Sequence, residues 1–174
     1  MANHHILSVL VENKFGVLTR VSSLFSRRGY NIYSLAVSPT EDDRYSRMTV
    51  VVDGDADLVE QITKQLNKLI PVIKISELAD SDAVERELML VTIKGGADAR
   101  SQATELASIF EAKILDVGYE ALTLMVAGQP DKLDAMTDLL KPFGIVELQR
   151  TGRIALPKLS RQPSKLRVVK NRSA

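Results

Sequence analysis

The chain has 174 residues, of which 45% are hydrophobic and 26% charged, a globular composition with room for one ordinary domain or two small ones. It has no cysteine, which excludes a disulfide framework, a thiolate nucleophile and a thiolate metal site, and its 5% aromatic content argues against a stacking surface for nucleic acid. The net charge of +1 hides an asymmetry: residues 153–174 carry seven Lys or Arg and no acid, which leaves 16 bases against 22 acids in the rest of the chain.

No apolar run approaches the ~20 residues needed to span a bilayer. The start, Met1-Ala2-Asn3-His4-His5, lacks the basic, apolar and cleavage regions of a secretory signal. The expectation is a cytoplasmic protein with neither a membrane nor a nucleic acid as partner.

In chain order, His5 to Val11 alternates as a strand, with Leu7, Val9 and Val11 on one face. Leu18, Val21, Leu24 and Phe25 recur at helical spacing, and Gly29 supplies a helix stop. Asn31 to Ser38 and Tyr45 to Asp53 read as a hairpin around the turn-rich residues 39–44. Leu58, Ile62, Leu66 and Leu69 mark a second helix, and Pro71 precedes a last strand, Val72 to Leu78. The order is βαββαβ.

After a polar linker around residues 80–83 the pattern returns. Glu87 to Lys94 is a strand broken by Gly95-Gly96, and Ala99, Ala103, Leu106 and Phe110 mark a helix. Ile114 to Val117 and Ala121 to Ala127 form a hairpin, Leu133, Met136 and Leu140 mark another helix, and Ile145 to Leu148 closes the copy. The predicted fold class is therefore α+β, two ferredoxin-like βαββαβ domains in tandem over residues 1–79 and 84–156, with a flexible basic tail over 157–174. The tail is either a solubilising terminus or an arm for an acidic partner. Each unit is near the size at which one core is marginal, so association through a sheet edge or bare face is expected.

Most chemically suggestive clusters have structural explanations. Asp53, Asp55 and Asp57 resemble the start of a calcium loop, but Lys64 stands where the twelfth-position glutamate belongs, so Asp57 is read as a helix N-cap with Glu60 completing a capping box. His4 and His5 point to opposite faces of a strand and cannot easily chelate one ion, and a frayed or exposed start is expected of them. No nucleophile-histidine-acid set can be assembled from two histidines. Gly95-Gly96 lacks the fingerprint of a phosphate or dinucleotide loop, and Tyr30, Tyr33 and Tyr45 lack interleaved bases. No catalytic and no metal-ligating residue is assigned.

Two segments remain. Glu12-Asn13-Lys14-Phe15-Gly16-Val17-Leu18 joins a strand to a helix, where backbone amides are unpaired and the dipole end is positive, and Gly29-Tyr30-Asn31-Ile32 opens the next strand. Helix-end amides, amide side chains and apolar neighbours suit a small α-amino acid. The helix between them has roughly 12 residues and a length of about 18 Å, more than twice that of a free amino acid. One chain therefore cannot close both segments on one ligand. Two chains with antiparallel helices could, giving two equivalent sites in a twofold homodimer.

Residues 6–13 with Gly16, residues 24–32 and Ser46-Arg47-Met48-Thr49 resemble an ACT domain. More narrowly, with residues 84–91 and Arg150-Thr151-Gly152-Arg153, the chain resembles the small regulatory subunits of acetolactate synthase, also called acetohydroxyacid synthase. The resemblance covers nearly the whole chain up to Leu156. It implies a non-catalytic subunit that dimerises through its ACT domain, binds and activates the large catalytic subunit, and confers feedback inhibition by L-valine. Thiamine diphosphate, magnesium and FAD would sit in the large subunit, with no cofactor in this chain. Family effector residues carry over to Asn13, Gly16, Asn31 and Ile32. Amides near Gly16, Val17 and Leu18 would bind the effector carboxylate, and Val17 and Ile32 would form the apolar wall. Rival readings are an amino-acid-responsive ACT protein acting on another enzyme or on transcription, against which no helix-turn-helix segment is read, and a stand-alone enzyme on the same scaffold.

Overall fold

The computed structural model describes residues 4–159. The first unit is β1 (His4–Glu12), α1 (Val17–Arg28), β2 (Ile32–Pro39), β3 (Tyr45–Asp53), α2 (Ala56–Leu66) and β4 (Val72–Leu78). Its strands pair antiparallel in the order β2-β3-β1-β4. Alternation along β1 and β3 sends Leu7, Val9, Val11, Met48, Val50 and Val52 to the helix-covered face, where they meet Val21, Leu24 and Phe25 of α1 and Val59, Ile62 and Leu66 of α2. Each such side chain contributes roughly 1.5–3 kcal/mol on burial, so this face holds the unit together.

Helix α1 ends where the sequence asks it to. Gly29 takes a left-handed φ of 69°, and the amides of Tyr30 and Gly29 donate to the carbonyls of Phe25 (3.0 Å) and Ser26 (3.2 Å), closing the orphan acceptors of the last turn. At the start of α2 the expected cap is displaced by two residues. Asp55, not Asp57, is the N-cap, its carboxylate accepting from the Leu58 amide at 2.8 Å. Asp57 sits inside the first turn, where its charge still favours the helix dipole.

The second unit is β5 (Ala83–Lys94), α3 (Ala97–Ile109), β6 (Lys113–Val117), β7 (Ala121–Gly128), α4 (Pro130–Leu140), β8 (Ile145–Arg150) and β9 (Ile154–Pro157). Its main sheet has the equivalent order, β6-β7-β5-β8, again antiparallel. Met89, Val91, Ile93, Leu122, Leu124 and Val126 face Ala103, Ala107, Leu133, Met136 and Leu140. Both units are thus ferredoxin-like, two helices on one face of a four-stranded sheet.

The junction differs from a plain linker. Residues 80–82 form a single 3-10 turn, and β5 starts at Ala83, four residues before the predicted Glu87. Those added residues pair with β9, Ala83 with Pro157 through Arg86 with Ile154. Ala83 and Ala155 then join Ile6, Val51 and Leu78 in a third buried cluster, on the side of the first sheet away from its helices. Pro157, expected to begin the tail, closes β9, and Lys158 donates its amide to Asp82 O (2.7 Å) and its Nζ to Ser81 O (2.6 Å). Residues 160–174 of the expected tail lie outside the described residues.

The two histidines are not frayed ends. His5 Nδ1 lies 2.8 Å from Glu77 on β4, and His4 Nε2 lies 3.2 Å from Asp53 on β3 while its ring stacks on Tyr33, 4.1 Å between centroids. Strand pairing places an acid beside each ring. Among the described residues no helix is long and apolar enough to cross a membrane.

Candidate functional site

The loop from β1 to α1 is anchored from the side by the β2–β3 hairpin. Asn13 is exposed, yet its Nδ2 donates to Asp43 O (2.9 Å) and its backbone amide to Arg44 O (2.7 Å). The hairpin loop is stiffened in turn by an Asp42–Arg44 pair, with Arg44 Nη2 2.6 Å from Asp42 Oδ2. The guanidinium bond, then the Arg44 amide, hold the Asp42 carboxyl at about 2, well below its usual 3.8. Asn13 therefore helps to fix the loop. One of its amide protons is taken, leaving the second proton and the carbonyl oxygen for another partner.

Gly16 initiates α1 at φ 81° and ψ −3°, in the left-handed region that other residues enter only with strain. No side chain caps this end and no acid lies in the first turn. The Val17 amide reaches Lys14 O at 3.3 Å and the Arg20 amide reaches Gly16 O at 3.0 Å, but the amides of Leu18 and Thr19 meet no acceptor among the described residues. The positive end of the helix is thus open, with donors aimed outward and a glycine that clears the approach. The Thr19 amide belongs with this set, although sequence reasoning stops at Leu18.

The apolar part of the predicted pocket needs correction. The Val17 side chain is 6% exposed and packs in the first core, and Ile32 packs against the same cluster. Within one chain Val17 offers neither a wall nor an open amide, because its N–H already reaches Lys14 O. Leu18 is 44% exposed beside the open amides, and Phe15, one residue before Gly16, is fully exposed. The spacing of helical positions sends Val17, Val21 and Leu24 inward and Leu18 outward.

Asn31 is exposed at the other end of α1, just beyond the Gly29 stop, and Ile32 opens β2 opposite Val52. The 12 residues of α1 put about 18 Å between the two ends. In a single chain the structure brings Asn13, Gly16 and Leu18 together and keeps Asn31 and Ile32 apart from them. Among the described residues no group of three or more His, Cys, Asp or Glu could hold a metal ion.

Two family models divide the chain between them. One, described as an AHAS small subunit-like ACT domain, matches residues 7–74, and one for the small subunit of acetolactate synthase matches residues 86–159. The chain is 52% identical over 152 residues to the acetolactate synthase small subunit of Mycolicibacterium smegmatis, an alignment covering 87% of this chain and 89% of the relative. It is 51% identical over 152 residues to a probable acetolactate synthase small subunit of Archaeoglobus fulgidus, covering 87% of this chain and 95% of that one. Among solved structures, the acetolactate synthase small subunit of Thermotoga maritima superposes with a TM-score of 0.85 at 35% identity, over 91% of this chain and 99% of the other. With both ferredoxin-like units matched in order, and relatives covered nearly end to end, the chain belongs to the acetolactate synthase small-subunit family.

Proposed function

We propose that this chain binds the large catalytic subunit of acetolactate synthase, raises its activity and makes it subject to feedback inhibition by L-valine. The condensation of two pyruvates, or of pyruvate with 2-oxobutyrate, belongs to the large subunit with its thiamine diphosphate, magnesium and FAD. This chain contributes no catalytic group. One observation carries the effector half of the reading: an uncapped helix end at Gly16, with free amides at Leu18 and Thr19, beside an Asn13 side chain already held in place. Such an end is built for a carboxylate.

The second half-site, Asn31 with Ile32, comes from a partner chain whose α1 lies antiparallel to the first. Asn31 of the partner subunit then orients the effector from the side opposite Asn13. Two equivalent sites result, each spanning the dimer interface. Valine inhibits by binding one arrangement of that interface more tightly than another, so its effect equals its differential affinity for the two.

Co-purification with the large subunit, followed by acetolactate assays with and without valine, tests partner, activation and inhibition together. The expected result is a complex more active than the large subunit alone and inhibited by valine. A complex that forms but ignores valine, with wild-type valine binding retained in Asn13→Ala and Gly16→Asp, would overturn the effector assignment.

A further inference from the structure

The loop of residues 151–153 carries the second unit against β2. Gly152 approaches so closely that a Cβ there would lie 3.3 Å from Ser34 Oγ, and the Arg153 amide donates to that same oxygen at 3.3 Å. The Arg153 side chain reaches further, to β1. Its Nη2 lies 3.2 Å from His4 Nδ1, while its Nη1 lies 3.7 Å from Glu85 Oε2 on β5. On the other side of the His4 ring, Nε2 lies 3.2 Å from Asp53 Oδ1 on β3, and the ring stacks on Tyr33 of β2. The charged groups thus run in the order Asp53, His4, Arg153, Glu85, the first two on one ferredoxin-like unit and the last two on the other.

Elementary chemistry fixes how the middle contact is made. A guanidinium has donors only, so Arg153 can bond to His4 Nδ1 only while that nitrogen carries no proton. The ring in this arrangement is therefore neutral, with its proton on Nε2, beside Asp53. Histidine is the side-chain type whose charge changes between about pH 5 and 8. A proton added at Nδ1 would set donor against donor and cation against cation at the Arg153 contact. The same proton strengthens the attraction of the ring to Asp53, and Glu85 is placed to hold the displaced arginine. The side chains of His4, Arg153 and Glu85 are only 20%, 14% and 19% exposed, so solvent screens these forces in part and not fully.

We propose that His4 is a proton-sensitive latch between the two units. When neutral it accepts from Arg153 and ties the units together. When protonated it pairs with Asp53 inside the first unit, Arg153 pairs with Glu85 inside the second, and a bond that crosses the junction is exchanged for two that do not. Among the described residues, the charges around the ring are Asp53 from β3 and Arg153 from the loop before β9, with Glu85 of β5 behind the arginine. Tyr33 of β2 lies against the ring, and His5, next along β1, turns instead to Glu77 of β4. The Ser34 contact and the cluster of Ile6, Val51, Leu78, Ala83 and Ala155 contain no group that titrates in this range. Opening the latch therefore loosens the 151–153 loop without separating the units.

The test is NMR on the full-length chain between about pH 5 and 8, following the His4 ring nitrogens together with the Arg153 Nε–H. At the upper end of the range His4 is expected as the Nε2–H tautomer. As the pH falls, the Arg153 side-chain signal and the Ser34 and Arg153 amides should shift with the same midpoint as the His4 ring. His4→Gln offers an oxygen to Arg153 and an amide to Asp53 at every pH, so it should abolish that midpoint, whereas His5→Gln should leave it in place. An Nδ1–H tautomer at the upper end, a His4 ring that does not titrate in the range, or Arg153 signals that ignore its titration would overturn the proposal. So would a midpoint that survives His4→Gln or vanishes in His5→Gln.

Discussion

Gly16→Asp and Gly16→Asn form a matched pair that isolates charge at the open end of α1. The position has room, since a Cβ would meet nothing within 4 Å, and its left-handed φ of 81° is one that Asn and Asp tolerate better than other side chains. The two variants therefore share the same backbone cost, about 1 kcal/mol or less, and differ in one negative charge. On folding, that charge favours the aspartate by about 0.3–1 kcal/mol, because it sits at the positive helix end. On binding, it opposes the effector carboxylate. Two unit charges at 4 Å repel by about 1 kcal/mol in water and about 4 kcal/mol at an effective dielectric of 20. The helix end is open to solvent, so the lower part of that range applies, about 1–2 kcal/mol, or roughly 5- to 30-fold weaker valine binding. Calorimetric titration with L-valine, paired with urea unfolding of each variant, reads both effects. The expected signature is an aspartate variant at least as stable as the asparagine variant but weaker in binding. Equal valine affinity for the two would place the effector carboxylate elsewhere.

Three further outcomes rest on the same fold. Gly152→Ala forces a side chain into φ 78° and to within 3.3–3.4 Å of Ser34, and should cost about 1–2 kcal/mol in urea unfolding, whereas Gly96→Ala, with nothing within 4 Å and ordinary φ, should cost far less. Asp55→Ala should lose about 1 kcal/mol with its cap, and Asp57→Ala clearly less; the reverse order would restore the cap predicted from sequence. For Asp42, the folded carboxyl is held at about 2 against an ordinary 3.8, so its contribution to stability is present above the ordinary value and is lost as pH falls through about 2. A carboxyl-carbon NMR titration should show that low midpoint, and Arg44→Ala should return it toward the ordinary value.

Local patterns are legible in the sequence, and contacts between distant segments are not. The helix-facing residues of β1 follow directly from alternation, and Gly29 can be read as a stop because only glycine takes that conformation without strain. Two stretches escape. Strand β9 has four residues, too few for a period to show, and exists only because residues 83–86 find it some seventy positions later and pair with it. The same partnership hides the true start of β5. Periodicity in α2 points to Leu58, which is half-buried, where Val59 holds the core position, and Val17, a candidate for the apolar wall from its place beside Gly16, is sent inward by its position in the turn. At the α1 loop, Gly16 and Asn13 stand out because what they do there depends on backbone shape and short-range bonding. The contact between the units draws on separated stretches, and no spacing rule connects His4 with Arg153 before the fold does.

The hairpin of β9 with the start of β5 has a consequence for how the chain can be divided. Residues 80–82 look like a place to cut, since the sequence turns polar there and each side holds a complete ferredoxin-like pattern. Severing the chain at that point, and removing the second unit, would strip Ala83 and Ala155 from Ile6, Val51 and Leu78. The isolated first unit would present a fresh oily face to solvent, opposite the one its helices protect, and would be prone to self-association through that face. Binding studies on such a fragment would report on a surface that the intact subunit conceals.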